Sequence, residues 1–125
     1  MIERKSGSII ALGGLSSLTA TSPQSTATVA SKHGLYGFIK ALAHDLGPYG
    51  VRANLLAPSF IHNERRNPEW YPGTGGKHTD EEMARTPLRR EGTNQELANV
   101  ALFLASDESS YVTGDRIVCG GGTYM

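Results

Sequence analysis

Between about Thr26 and Leu46, the residues Leu35, Phe38, Ile39, Leu42 and Leu46 recur at helical spacing and form one apolar stripe. The predicted helix lies between two short apolar runs. One is Gly7 to Leu12, closed by Gly13-Gly14; the other is Val51 to Ala57, closed by Pro58. Gly47-Pro48 stops the helix between them. Two strand-length runs joined through a long helix make a parallel crossover, because antiparallel neighbours need only a tight turn. A parallel sheet in turn needs cover on both faces. No other feature constrains the fold as strongly.

Residues 15–25, rich in Ser and Thr and holding Pro23, read as a loop. Thr79 and Glu82 have the spacing of a capping box, which starts a short helix that Pro87 ends. Thr93 and Glu96 repeat the pattern and introduce a helix with the stripe Leu97, Val100, Ala101 and Leu104. Asp115 to Cys119 is a third short strand, followed by Gly120-Gly121-Gly122. The order is strand, helix, strand, helix, strand. Helices this apolar call for more sheet than three strands supply. Residues 59–92 are the least regular part and contain Pro68, Trp70, Tyr71, Pro72 and the glycine run Gly73-Thr74-Gly75-Gly76.

The 125 residues suit one domain, 1–125. Twelve basic and twelve acidic side chains cancel, so there is no electrostatic footprint for nucleic acid or an anionic membrane. A single cysteine, Cys119, excludes an intrachain disulfide and a thiol metal cluster. No apolar run approaches signal-peptide or membrane-span length, so a cytoplasmic protein is the default expectation.

Two local signals invite sharper readings. Gly73 to Thr79 resembles a phosphate loop, but the glycine and lysine spacing fits neither the Walker pattern nor Gly-x-Gly-x-x-Gly, and no strand precedes it. It reads better as the tip of a substrate-covering loop, with Trp70 and Tyr71 as substrate-contacting or surface-packing aromatics. His33, His44, His62 and His78 show no metal spacing. His62, just past the second strand, is a candidate acid or a solvated loop histidine.

Three segments resemble the short-chain dehydrogenase/reductase family. Thr28-Val29-Ala30-Ser31-Lys32 is similar to its Tyr-x-x-x-Lys helix. Val51 to Ile61, with Pro58-Ser59, resembles the strand that ends in Pro-Gly. Ala101 to Asp107, Val112-Thr113-Gly114 and Gly120-Gly121-Gly122 resemble its C-terminal helix and strand. The resemblance runs from about Gly7 to Met125 and implies an α/β fold, the C-terminal half of a Rossmann-type parallel sheet flanked by helices. It also implies an oxidoreductase using NAD or NADP on a carbonyl or alcohol, with the helix 26–46 packing against its counterpart in a homo-oligomer.

By that resemblance the catalytic positions are Lys32, Thr28 and Ser16, and the cofactor-binding positions are Lys32, Pro58, Ser59, Ile61 and Asn63. Lys32 would hold the nicotinamide ribose, and Ile61 would present its backbone to the carboxamide. The sequence departs from the family at the proton donor, where Thr28 replaces tyrosine. An aliphatic hydroxyl is a far weaker acid than a phenol. A variant position three residues earlier holds Ser25, and Tyr36 lies about 12 Å further along the helix axis. The strand end that usually reads Ser-Ser reads Gly13-Gly14; Ser16 and Ser17 either replace it or bond local backbone. The Gly-rich turn that receives a pyrophosphate in Rossmann folds is not among these residues. Little or no dehydrogenase activity is therefore expected of these 125 residues alone. A non-catalytic structural or dimerisation module is the alternative. The opening Met1 to Ser8 resembles the middle of a family member, so Met1 is expected to be an internal methionine.

Overall fold

The computed structural model describes residues 1–20, 26–62 and 78–123. Three strands, β1 (Gly7–Leu12), β2 (Val51–Pro58) and β3 (Arg116–Cys119), form one parallel sheet in the order β1-β2-β3. Gly7 pairs with Val51 and Leu12 with Leu56, while Leu55 pairs with Arg116 and Pro58 with Cys119. In β2 only Arg52 and Pro58 escape burial, as expected of a central strand covered on both faces. This is the α/β arrangement that the strand and helix order predicted.

Helix α1 (Thr26–Leu46) makes the crossover between β1 and β2. Its Ile39 and Ala43 are buried against Ala53 and Leu55, with Ile9, Ala11, Leu35, Tyr36 and Leu42 packed around them. A 3-10 turn, Gly47–Tyr49, follows α1. Gly50 then takes φ 70, and a Cβ there would stand 2.4 Å from the Lys5 carbonyl oxygen, so only glycine lets the chain enter β2 at this point. Helix α3 (Asn94–Ala105) also packs on the sheet, touching all three strands. Leu104 is fully buried there, and its carbonyl accepts from Ser8 Oγ at 2.7 Å.

Both capping boxes form as expected. Thr79 caps the short helix α2 (Asp80–Arg85), and Thr93 caps α3. Two β2 side chains hold the turn that returns the chain to the sheet. Arg52 donates to Ser109 Oγ at 2.8 Å and to the Ser106 carbonyl at 2.9 Å. Buried Asn54 donates to the Val112 carbonyl and accepts from the Asp115 N–H. That last bond lies just before β3, which begins at Arg116 and not at Asp115. Within 15–25, expected as a loop, Leu15–Ser17 is a 3-10 turn.

Candidate functional site

An open groove of ≈ 630 Å³ lies beyond the C-terminal end of β2. Its walls are Leu15 and Ser16 from the 3-10 turn, the β2 exit from Pro58 to His62, His78, and Asn94 and Leu97 of α3. In open α/β sheets the carboxyl ends of the strands are where ligands bind, because helix starts and loops converge there. The volume is in the range of small-molecule pockets, roughly 300–1,000 Å³.

The β2 exit is held by a single parallel bridge between Ile61 and Gly92. The His62 N–H donates to the Gly92 carbonyl at 2.8 Å, and the Gly92 N–H donates to the Phe60 carbonyl at 3.0 Å. Parallel pairing of this kind turns the peptide N–H and C=O of Ile61 itself away from Gly92. A donor and an acceptor are thus offered side by side, which is what a planar carboxamide requires. Ser59, next in the wall, is buried, and its Oγ has no hydrogen-bond partner among the described residues. On these observations Ile61 fits the nicotinamide end of a dinucleotide.

Lys32 lies one turn beyond Thr28 on α1, and its Nζ donates to the Leu12 carbonyl oxygen at 3.0 Å. The ammonium is therefore fixed at the end of β1. Thr28 is exposed and is not among the groove's described wall residues. Tyr36 is engaged elsewhere: the Arg116 guanidinium lies 4.8 Å from its ring centroid, and Arg116 also donates to the Ser17 carbonyl. Of the two serines, Ser17 is buried and donates to the Gly14 carbonyl at 2.6 Å, while Ser16 lines the groove. Gly14, at the strand end where the family has serine, has φ 136 and ψ 175, a conformation that side chains other than glycine's rarely adopt.

The groove thus brings Ser16, Pro58, Ser59 and Ile61 together, with Lys32 at the neighbouring strand end. Asn63, Ser25, Trp70, Tyr71 and the glycine run 73–76 lie outside the described residues. No spacing in the sequence marks the cluster that Glu91 forms with His62 and His78. Glu91 Oε1 accepts from the His78 backbone N–H at 2.9 Å and lies 2.6 Å from His78 Nδ1, while its Oε2 lies 3.1 Å from His62 Nδ1. Partial burial pushes the Glu91 carboxyl upward, but the His78 backbone N–H and then the two imidazoles outweigh it, holding the carboxyl at about 2 against an ordinary 4.5. Phe60 meets the His78 ring edge-on, with centroids 4.8 Å apart. Only the neighbouring capping boxes, which fix Thr79 and Thr93, hint that positions 78 and 91 would meet.

A parallel sheet with helices on it and a groove at the strand ends define a Rossmann-type half-domain. Residues 1–124 match the family model described as enoyl-(acyl carrier protein) reductase, and the chain belongs to the short-chain dehydrogenase/reductase family. Among its relatives, the 3-oxoacyl-[acyl-carrier-protein] reductase FabG of Chlamydia muridarum is 38% identical over 122 residues, covering 98% of this chain and 47% of that protein. A gluconate 5-dehydrogenase from Burkholderia cenocepacia, solved with NADP and tartrate, superposes with a TM-score of 0.85 at 31% identity, covering 98% of this chain and 46% of that one. A 3-oxoacyl-[acyl-carrier protein] reductase from Brucella melitensis with bound NAD gives 0.82 at 36% identity, over 100% of this chain and 44% of that one. The chain spans about half the length of the curated relatives it matches. No helix among the described residues is long and apolar enough to cross a membrane.

Proposed function

We propose that this chain provides the nicotinamide- and substrate-facing part of an NAD(P)-dependent oxidoreductase acting on a carbonyl or alcohol. The likeness to 3-oxoacyl-[acyl-carrier-protein] reductases puts a 3-oxoacyl thioester first among substrates. The observation that carries the reading is the β2 exit, where the Ile61 peptide groups face away from their bridge beside Pro58 and Ser59 at the rim of the groove. When bound, the cofactor supplies or accepts a hydride. The chain's own residues position it: Ile61 takes the carboxamide, Lys32 holds the ribose hydroxyls, and Ser16 polarises the substrate oxygen. By themselves the 125 residues have little or no dehydrogenase activity, because they contain no Gly-rich pyrophosphate turn.

Nicotinamide mononucleotide, which needs no pyrophosphate site, tests the reading. At tens of millimolar it is expected to shift the backbone amide of Ile61 in NMR spectra, and no shift there would overturn the proposal. Full-length NADPH is expected to bind no more tightly than about millimolar. Micromolar saturation would show that the groove alone is sufficient and that the inactivity reading is wrong.

One observation favours a second reading, a non-catalytic structural or dimerisation module. On α1, Phe38 is 58% exposed, and nothing lies within 4 Å of a Cβ built at Gly34 or Gly37. Such a face suits a second copy of the helix 26–46. Light scattering is expected to give a dimer or larger species at micromolar concentration. Self-association without the Ile61 shift would favour the module.

A further inference from the structure

Reduction of a carbonyl needs a proton as well as a hydride, and the family's phenol is replaced by Thr28, outside the groove. His62 lines the same groove as Ser16, and its side chain is 51% exposed, so it is open to both ligand and solvent. Its Nδ1 is taken by Glu91. An ionised carboxylate only accepts hydrogen bonds, so His62 must present Nδ1–H to it. That fixes the tautomer and leaves Nε2 as the working nitrogen of a ring that forms part of the wall. His78 also borders the groove, but only 11% of its side chain is exposed and Phe60 lies against its ring, so it serves to hold the carboxylate.

A tether for the chain would explain His78, which binds Glu91 through both backbone and ring, but it would not explain a second imidazole in the groove. No Lys, Arg, Asp or Glu is among the described wall residues. Arg90, next to Glu91 in sequence, is paired with Glu96. Ser16, Asn94 and His78 are the polar residues that other described segments contribute to the wall that His62 shares.

We propose that His62 is the groove's proton donor and acceptor, presenting Nε2 to the substrate oxygen, and that Glu91 is the positioning residue that orients it. The proposal rests on the carbonyl/alcohol reading above. In the reducing direction, the hydride for the carbonyl carbon would come from reduced nicotinamide when it is bound. The C=O π pair moves to oxygen, which takes the Nε2 proton of the imidazolium. Neutral His62 keeps Nδ1–H on Glu91 and regains its Nε2 proton from solvent.

The test uses the full 125-residue chain without nucleotide. Dihydroxyacetone in D2O is followed by proton NMR for loss of its α-protons. The imidazolium gives its Nε2 proton to the carbonyl oxygen while buffer base takes an α-proton, and the C–H pair passes into the enediol. On reketonisation Nε2 takes back the hydroxyl proton as a solvent deuteron adds at carbon. Exchange above the buffer rate is expected, falling roughly tenfold or more in His62→Gln and several-fold in Glu91→Gln, with His44→Gln unchanged. Nitrogen–proton correlation spectra should show neutral His62 as the Nδ1–H tautomer, crossing to Nε2–H in Glu91→Gln. Exchange no faster than buffer, exchange indifferent to His62→Gln, or His62 found as Nε2–H in the unsubstituted chain would each overturn the proposal. That last measurement decides even if Glu91→Gln does not fold. None of these outcomes bears on the nicotinamide reading, which the Ile61 shift decides separately.

Discussion

Lys32 Nζ donates to the carbonyl oxygen of Leu12 across 3.0 Å, which fixes the one cation of the catalytic helix pattern at the end of β1. A tyrosine introduced at Thr28 would be one helical turn from that ammonium. It would still lack a serine at Gly14 and a place in the groove. Thr28→Tyr is therefore expected to create no NADPH-dependent ketone reduction in this chain, because a donor helps only beside a positioned substrate and hydride. A rate above the unsubstituted chain, followed by nucleotide absorbance, would refute this.

Restoring serine at the strand end is expected to be costly. Gly14 has φ 136, and the nearest atom to an added Cβ is the Pro58 carbonyl oxygen at 3.9 Å, so the position has room but the wrong backbone. Gly14→Ser should destabilise by about 1–3 kcal/mol, the usual cost of a side chain in such a conformation. An unchanged urea midpoint would show that the 3-10 turn adapts freely.

Ser59 gives the opposite sign. Its Oγ is buried with no partner among the described residues, whereas its Cβ is the atom that packs against Gly120. Ser59→Ala keeps the contact and removes the unsatisfied hydroxyl. A gain of about 1 kcal/mol is expected in chemical denaturation. A loss of that size would mean that the hydroxyl has a partner in solution.

Glu91 sets a pH dependence. Its folded carboxyl is held at about 2 against an ordinary 4.5, so its stabilising contribution is fully present above pH 4.5 and is lost as the pH falls through 2. With the side chain 22% exposed, that contribution is on the order of 1–2 kcal/mol after allowance for screening. Glu91→Gln is expected to be less stable than the unsubstituted chain by that amount at pH 6, with the gap closing by pH 2. A gap that stays constant across that window would show that the carboxylate's charge is not what matters.

What could be read from the sequence was whatever is set within a few residues. The α1 stripe and its Gly47-Pro48 stop, and the two capping boxes, depend on neighbours three or four positions apart, and each forms where expected. The parallel pairing of β1 and β2 followed from the length of the helix between them. Contacts set by the tertiary fold were not legible. Glu91 meets His62 and His78 across 29 and 13 positions, and Arg52 reaches Ser109 across 57. No periodicity encodes such meetings. Gly14 is a local case that was still not read: its positive φ belongs to the turn into Leu15–Ser17, and no spacing rule marks that turn.

The outer edge of β1 is a built-in reporter. Among the described residues β1 pairs with β2 alone, and the Gly13 N–H donates to Leu56. Peptide groups of a parallel strand alternate sides, so Ile9 and Ala11 direct their amides toward β2, while Ser8, Ile10 and Leu12 direct theirs outward. Deuterium uptake along this strand should therefore rise and fall with residue number, slow at the inward amides and fast at the outward ones. Any polypeptide that aligns against the open side would slow the three outward amides and leave the rest as they were. Isotope exchange at single-residue resolution would in this way register docking at the sheet margin with no label attached to either molecule.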